Sequence, residues 1–379
     1  MGNHTSLLIL VLTLIKLHTL HSHDLEYKSF DSLDIEATFI DEHEALPLNW
    51  RDSDHPDTSP IASYISSPNA YRNHKVKACI FILARNSDLQ SLKHTLRKFE
   101  QTFNHRFGYP YVIVNDKKFT SHFKRDIRLL TNSLVEFGQV PVEHWSYPEW
   151  IDRDRVRDTR ERMYKDGIIY GESESYRFMC RYYSGFFFRH ELVLKYDYYW
   201  RIEPGVDFNC ILDYDPFIFM QRNSLEYGFT ISLFEIEGTI KSLWNTTKEF
   251  MSSKKINSKM DYVQTGTEYN NCHFWSNFEI ASFNFFRSEK YISYFDFLDQ
   301  KGGFFYERWG DAPVHTLALA MFAPSSKIHH FSDIGYFHSP LSNCPRKENC
   351  LCDPTQSFDY RGSYCVDRLK DSQWLEKHG

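Results

Sequence analysis

KACIFIL, Lys77 to Leu83, is a short apolar run rich in β-branched and aromatic residues, and it reads as a buried strand. Ala84-Arg85-Asn86-Ser87-Asp88 follows as a loop, with helix-capping chemistry at Ser87 or Asp88. Leu89, Leu92, Leu96, Phe99 and Phe103 then recur at helical spacing, which predicts an amphipathic helix over Leu89 to Phe103. YVIVN, Tyr111 to Asn115, is the next strand. A strand, a helix and a strand in this order make a βαβ unit. Such a unit implies a parallel sheet with a ligand crevice at its carboxyl-terminal strand ends. The expected fold class is therefore α/β: one domain with a mixed, mainly parallel sheet, Rossmann-like in its first half and flanked by helices.

Further along, Phe119, Phe123, Ile127 and Leu130 predict a second helix, and Leu134 to Val140 a further strand. Asp152 to Arg162 mixes both charge signs, as a solvated helix face does. Tyr176 to Tyr196 reads as one long helical stretch leading into the strand Tyr198 to Ile202. Tyr227 to Leu233 reads as another strand, Lys241 to Lys259 as a polar surface excursion, and Lys327 to His338 as strand-like alternation. Asn271 to Phe286 is aromatic without a helical period. Pro313 suits the first turn of a helix over Val314 to Phe322, with Asp311 as its cap.

The chain of 379 residues is 42% hydrophobic and 25% charged, which suits a sizeable globular core. Its 32 Phe and 24 Tyr suit both thick cores and sugar-stacking sites. A net charge of −6 argues against nucleic acid as a partner. Leu7 to Leu17 is apolar apart from Thr13 and Lys16, so residues 1–20 read as a signal peptide or a short signal anchor. Residues 21–69 are polar and look like a stem or linker, which leaves 70–379 as the folded domain. Asn245-Thr246-Thr247 fits an N-glycosylation acceptor. Of the eight cysteines, Cys344, Cys350, Cys352 and Cys365 crowd the C-terminal end. In an oxidising lumen they would be disulfides stapling a loop-like tail, with zinc as the rival reading. Cys79 and Cys180 lie in apolar segments.

The chemistry centres on Tyr198-Tyr199-Trp200-Arg201-Ile202-Glu203-Pro204-Gly205-Val206-Asp207. A carboxylate here follows a strand that proline stops, and a cation carrying a diphosphate needs such oxygen ligands. Glu203-Pro204-Gly205 holds a single carboxylate where many sugar-nucleotide enzymes use Asp-x-Asp, and Asp207 would need a turn to join it. His338 is a candidate second ligand, and a carboxylate–imidazole pair favours Mn2+ over Mg2+. Glu279 sits in an aromatic segment, where a carboxylate is costly unless paired or catalytic. It suits stabilising or attacking an oxocarbenium-like centre, or forming a buried ion pair with an Arg. Asp311 could bind an acceptor hydroxyl, and Arg201 stands on the donor side of the same stretch.

These segments together resemble the fungal α-1,2-mannosyltransferases of glycosyltransferase family 15, over about Ala70 to Tyr364. The carrying stretches are Ala84 to Leu89, Tyr176 to Tyr182, Tyr198 to Pro204, Tyr214 to Phe217, Cys272 to Ile280, Trp309 to His315 and His329 to His338. The resemblance implies a GT-A type fold, a type II topology in the Golgi or ER membrane through the N-terminal segment if it is uncleaved, GDP-mannose as donor and Mn2+ as cofactor. It implies retaining transfer to a mannose hydroxyl of O- or N-linked glycans on a mannosylated glycoprotein acceptor. It puts the metal on Glu203 and His338, the proposed nucleophile on Glu279, and donor, sugar or acceptor contacts on Arg85, Tyr176 and Asp311. Gly205 stands where some members carry Asp, and Ile211 where Asp is often seen. The weakened motif leaves a rival: a non-catalytic mannose- or nucleotide-sugar-binding protein on the same fold.

Overall fold

The computed structural model describes residues 75–358 and 364–378; the expectations for the N-terminal anchor and stem lie outside the described residues. Walking down the chain, β1 (Ala78–Leu83) is followed by α1 (Leu89–Phe99), β2 (Tyr111–Asn115), α2 (Ser121–Arg128) and β3 (Val135–Gln139). Next come α3 (Arg153–Lys165), α4 (Glu174–Gly185), β4 (Tyr198–Arg201), β5 (Asp207–Phe208) and α5 (Pro216–Arg222). Then follow β6 (Tyr227–Phe229), β7 (Ser232–Phe234), α6 (Leu243–Lys254), β8 (Gln264–Thr265), β9 (Glu268–Tyr269), β10 (Cys272–Phe274) and β11 (Glu279–Ser282). The last elements are α7 (Glu289–Lys301), α8 (Asp311–Phe322), β12 (Ile328–His330), β13 (Tyr336–His338), β14 (Leu341–Asn343) and α9 (Tyr364–His378).

Seven strands form the main sheet in the order β12-β6-β11-β4-β1-β2-β3. All neighbours run parallel except at β11, which is antiparallel to both β4 and β6. The chain leaves β1 toward β2 on one side and returns as β4 on the other, so the topology switches between β1 and β4. A crevice opens beyond the carboxyl ends of strands at such a switch. Arg85 and Glu203 each follow one of these two strand ends.

Side chains of β4 alternate between two aromatic layers, as a pleated strand requires. Trp200 meets Phe99, Phe103 and Phe278 on one face. Tyr199 meets Phe187 and Phe283 on the other. Arg201 falls on the Tyr199 side, where its guanidinium lies 3.4 Å from the centre of the Tyr183 ring of α4. A second, three-stranded sheet joins β14, β13 and β5. It registers Phe337 with Asp207 and Tyr336 with Phe208, which brings the His338 end of β13 beside the Glu203 turn.

Several elements depart from the sequence-based expectation. The stretch Tyr176 to Tyr196 is not one helix: α4 ends at Gly185, and two single turns, Phe187–Arg189 and Glu191–Val193, follow. Gly185 packs on the Phe295 ring of α7, which leaves no room for a side chain there. Tyr227 to Leu233 is two strands, because its second half pairs with β10 rather than with the main sheet. Lys327 to His338 likewise splits between the two sheets. Lys241 to Lys259 is not a surface excursion: α6 buries Leu243, Trp244 and Phe250, and its Thr247 hydroxyl is 2.7 Å from that of Tyr294. Asp88 accepts from the backbone N–H of Arg85 (2.8 Å) and makes no side-chain cap to α1.

Disulfides join Cys210 to Cys350, Cys272 to Cys365 and Cys344 to Cys352, so the C-terminal cysteines are not a zinc site. Cys79 and Cys180 are free and buried. The tight α4–α7 contact gives a direct test. Gly185→Ala would force a methyl against Phe295 and should cost roughly 1–3 kcal/mol in chemical denaturation. Adding Phe295→Leu should recover part of that loss, and an additive double variant would show that the two residues do not compete for space.

Candidate active site

Arg201, 2% exposed, is the hub of the site. Its Nε and Nη2 donate to Glu203 Oε1 at 3.1 and 2.5 Å, and its Nη1 donates to Asp311 Oδ2 at 2.6 Å. Nη1 also lies 3.7 Å from Glu279 Oε1, on the residue that β11 registers directly opposite Arg201. One guanidinium therefore faces three carboxylates, two of them bonded and one behind. A cation so enclosed is favoured over its neutral form, and the Arg201 proton affinity is driven up: burial opposes this, but Asp311, Tyr183, Glu203 and Glu279 outweigh burial.

Burial alone would push the Glu203 carboxyl up; the Arg201 charge and His338 outweigh it and hold it at about 2. The Asp311 carboxyl is held below the usual range in the same way, with Arg201 and His315 opposing its burial. Asp311 is the first residue of α8, not its cap: Gly310 takes that position, and the Asp311 carboxylate accepts instead from Arg201 and from the Ser276 hydroxyl at 2.7 Å.

Glu203 Oε2 is left free of Arg201 and faces His338 Nε2 at 3.7 Å. His338 Nδ1 lies 3.3 Å from the Ser339 carbonyl, which leaves Nε2 turned toward Glu203. A carboxylate oxygen and an imidazole nitrogen so placed are groups that a shared divalent cation would accept as ligands, and the carboxylate–imidazole set suits Mn2+. Among the described residues no group of three or more His, Cys, Asp or Glu could hold a metal by itself. Asp207 does not join the pair: its carboxylate meets His94 Nε2 at 2.7 Å. Gly205 lies at φ +93°, a conformation that L side chains rarely adopt, in open space.

Glu279 is fully buried. Its Oε2 accepts from the Tyr227 hydroxyl (2.8 Å) and lies 3.1 Å from His315 Nδ1, while Oε1 has no hydrogen-bond partner. Tyr176 is half-buried, with the Tyr170 ring stacked 4.6 Å away and the Arg308 guanidinium 5.1 Å from its centre. Arg85 is exposed just beyond the end of β1 and pairs with Asp88 at 3.1 Å. Asn245 is exposed on α6, away from this cluster in sequence and element. Asp215, inside one of the recognised stretches, caps α5 through the Phe217 and Ile218 amides and accepts from Tyr109. Sequence reasoning did not find Ser276, Tyr183, Tyr227 or the role of His315. Each is set by pairing between distant elements, and none carries a local signal.

The chain matches the family described as Glycolipid 2-alpha-mannosyltransferase over residues 36–374. The Glycolipid 2-alpha-mannosyltransferase of Saccharomyces cerevisiae is 46% identical over 350 residues, 89% of this chain and 79% of that protein. Glycolipid 2-alpha-mannosyltransferase 1 of Candida albicans is 50% identical over 314 residues, 79% of this chain and 73% of that protein. Among solved structures, mannosyltransferase Ktr4p of S. cerevisiae in complex with GDP superposes with a TM-score of 0.75 at 40% identity, covering 79% of this chain and 82% of that one. Core-mannan synthase A of Aspergillus fumigatus in its Mn/GDP form gives 0.73 at 40% identity, over 79% and 85%. The fold is that of a GT-A-like glycosyltransferase. The chain belongs to the glycolipid 2-alpha-mannosyltransferase family, glycosyltransferase family 15.

The low Glu203 value has a measurable consequence. A depressed carboxyl contributes stability that is complete above its ordinary value of 4.5 and is lost as pH falls toward about 2. Melting temperature should therefore drop as pH is lowered through this window, and Glu203→Gln should flatten that dependence. An equally steep loss in the variant would assign the acid sensitivity elsewhere.

Proposed function

We propose that this mannosyltransferase is a retaining α-1,2-mannosyltransferase. It would use GDP-mannose, with Mn2+ bound between Glu203, His338 and the donor diphosphate. The observation that carries this reading is the facing pair Glu203 Oε2 and His338 Nε2 at the β1/β4 switch, with Arg201 locking the other carboxylate oxygen. Two protein ligands leave most of a metal's coordination to the nucleotide and water, so metal and donor would bind together. The cation, when bound, neutralises charge developing on the leaving diphosphate. GDP in the complexes of similar structures supports the donor, and the Mn/GDP form supports the cation.

The chain's own residues supply the rest. Arg85, exposed at the end of β1, contacts the nucleotide side. Arg201 acts through the carboxylates it aligns, since its donors are engaged with Glu203 and Asp311. The surplus negative charge of this dry cluster stabilises positive charge at the anomeric carbon, because electrostatic interactions strengthen where water is excluded. Glu279, buried behind Arg201, keeps its free oxygen beside Arg201 Nη1. Tyr176 and Asp311 lie on the sugar and acceptor side. The bond from the anomeric carbon to the diphosphate breaks, the acceptor 2-hydroxyl takes its place on the same face, and the leaving phosphate accepts the hydroxyl proton.

The acceptor would be a mannose on O- or N-linked glycans of a mannosylated glycoprotein, encountered in the Golgi or ER with residues 1–20 as a membrane anchor. Among the described residues no helix is long and apolar enough to cross a membrane. Asn245 would carry a glycan only if modified before α6 folds, since the Thr247 hydroxyl that completes the acceptor triplet is buried.

GDP release from GDP-mannose with an α-mannoside acceptor should depend on manganese. Glu203→Gln and His338→Ala should each lower kcat roughly 100-fold or more, the scale of removing one charge-stabilising group. Near-normal activity of either variant at low manganese would remove that residue from the ligand set. Thermal stabilisation by UDP-sugars equal to that by GDP-mannose would point to another donor, and absent turnover would favour the binding-protein alternative.

A further inference from the structure

His315, on α8, makes no contact with Glu203 or His338 in the interactions described above, yet it is fully buried beside the reaction centre. Its ring is packed among Phe187, Phe286 and Tyr291. Both ring nitrogens are committed to oxygen: Nε2 lies 3.1 Å from the Tyr183 carbonyl, and Nδ1 lies 3.1 Å from Glu279 Oε2. A carbonyl oxygen only accepts, so Nε2 carries a hydrogen. With that hydrogen alone, the Nδ1 lone pair would face a carboxylate oxygen. The other neutral tautomer only moves the clash to the Tyr183 carbonyl. The geometry is satisfied when one more proton lies between Nδ1 and Oε2, carried by the imidazole or by the carboxyl.

The consequence reaches Arg201. With Tyr227 and His315 both on Oε2, the Glu279 carboxyl has one oxygen anchored and one, Oε1, free of hydrogen bonds beside Arg201 Nη1. Anchoring one oxygen fixes the orientation of the other. It also fixes the charge count: the His315–Glu279 pair with its shared proton is neutral, so Arg201 against Glu203 and Asp311 leaves the cluster one negative charge in excess rather than two. Tyr183 connects the two halves, since its carbonyl holds His315 and its ring lies under the Arg201 guanidinium.

We propose that His315 is a positioning residue for mannosyl transfer: through a shared proton it fixes the Glu279 carboxylate behind Arg201. The inference rests on the transferase reading, and it predicts which half of the imidazole matters. His315→Asn can place an amide N–H where Nδ1 stands, toward Glu279. His315→Gln reaches instead toward the Tyr183 carbonyl, and His315→Leu serves neither. The Asn variant should stay within about five-fold of the parent kcat, while Gln and Leu should lose roughly 100-fold, all with KM for GDP-mannose little changed. Equal loss in Asn and Gln, parent-like kcat in all three, or a change confined to KM would overturn the assignment. Variants that melt early and lose stabilisation by GDP alike would make His315 a packing residue only, which also overturns it.

A double-variant cycle on melting temperature needs no turnover. His315→Leu should destabilise the parent and cost clearly less in a Glu279→Gln background, because the neutral amide no longer needs the shared proton. Additive losses would break the proposed coupling. A parent that never transfers mannose, with the coupling intact, would sink the transferase reading and leave the pair standing as a structural dyad.

Discussion

One buried guanidinium organises this protein. Arg201 sits at the carboxyl end of β4 with almost no solvent contact, and it is tolerable there only because Glu203 and Asp311 bond it directly and Glu279 lies behind. Removing one member of such a set leaves an uncompensated charge in a dry interior, which costs far more than the intact set contributes. Strand, turn and helix positions around it are therefore constrained together. The Glu203 turn comes from β4, Asp311 from the start of α8, and Glu279 from β11, which runs antiparallel to its neighbours so that Glu279 lies opposite Arg201.

The same residue links fold to chemistry. Its strand ends at the topological switch, the place where open α/β sheets take their ligands. By occupying Glu203 Oε1, Arg201 leaves Oε2 as the outward face of that carboxylate, toward His338. The aromatic layers on either side of β4 exclude water from the cluster, and this lets a small number of fixed charges act strongly.

Much of the fold was legible in the sequence, because the signals there are local. KACIFIL, the spaced leucines of α1 and YVIVN carry their periods in consecutive residues, and the structure has β1, α1 and β2 where those periods lie. The failures share one cause. Tyr227 to Leu233 and Lys327 to His338 each look like one strand, but partner strands far along the chain divide them between sheets. α6 looked polar in part because its buried Thr247 satisfies its hydroxyl inside the fold, on the Leu243 carbonyl and the Tyr294 hydroxyl. At the site, Glu203, Glu279, Asp311 and His338 could be singled out as carboxylates and an imidazole in unusual settings. That Arg201 bonds Glu203 and Asp311 with Glu279 behind it, that Ser276 supports Asp311 and that Asp207 turns away to His94 follows from tertiary pairing, which no local pattern records.

His338 approaches Glu203 from far downstream, on a strand whose partner β5 is only two residues long. Such a brief pairing would hold a ligand loosely by itself. The Cys210–Cys350 bond, spanning 140 residues, closes the chain just after β5 and just after the β13–β14 hairpin. Closing a loop of this size removes on the order of 4–5 kcal/mol of chain entropy from the unfolded ensemble. The imidazole proposed as a metal ligand is thereby tethered before any cation would bind. The ordering cost that the proposed two-ligand site would otherwise carry at each binding event would then be met once, when the chain oxidises.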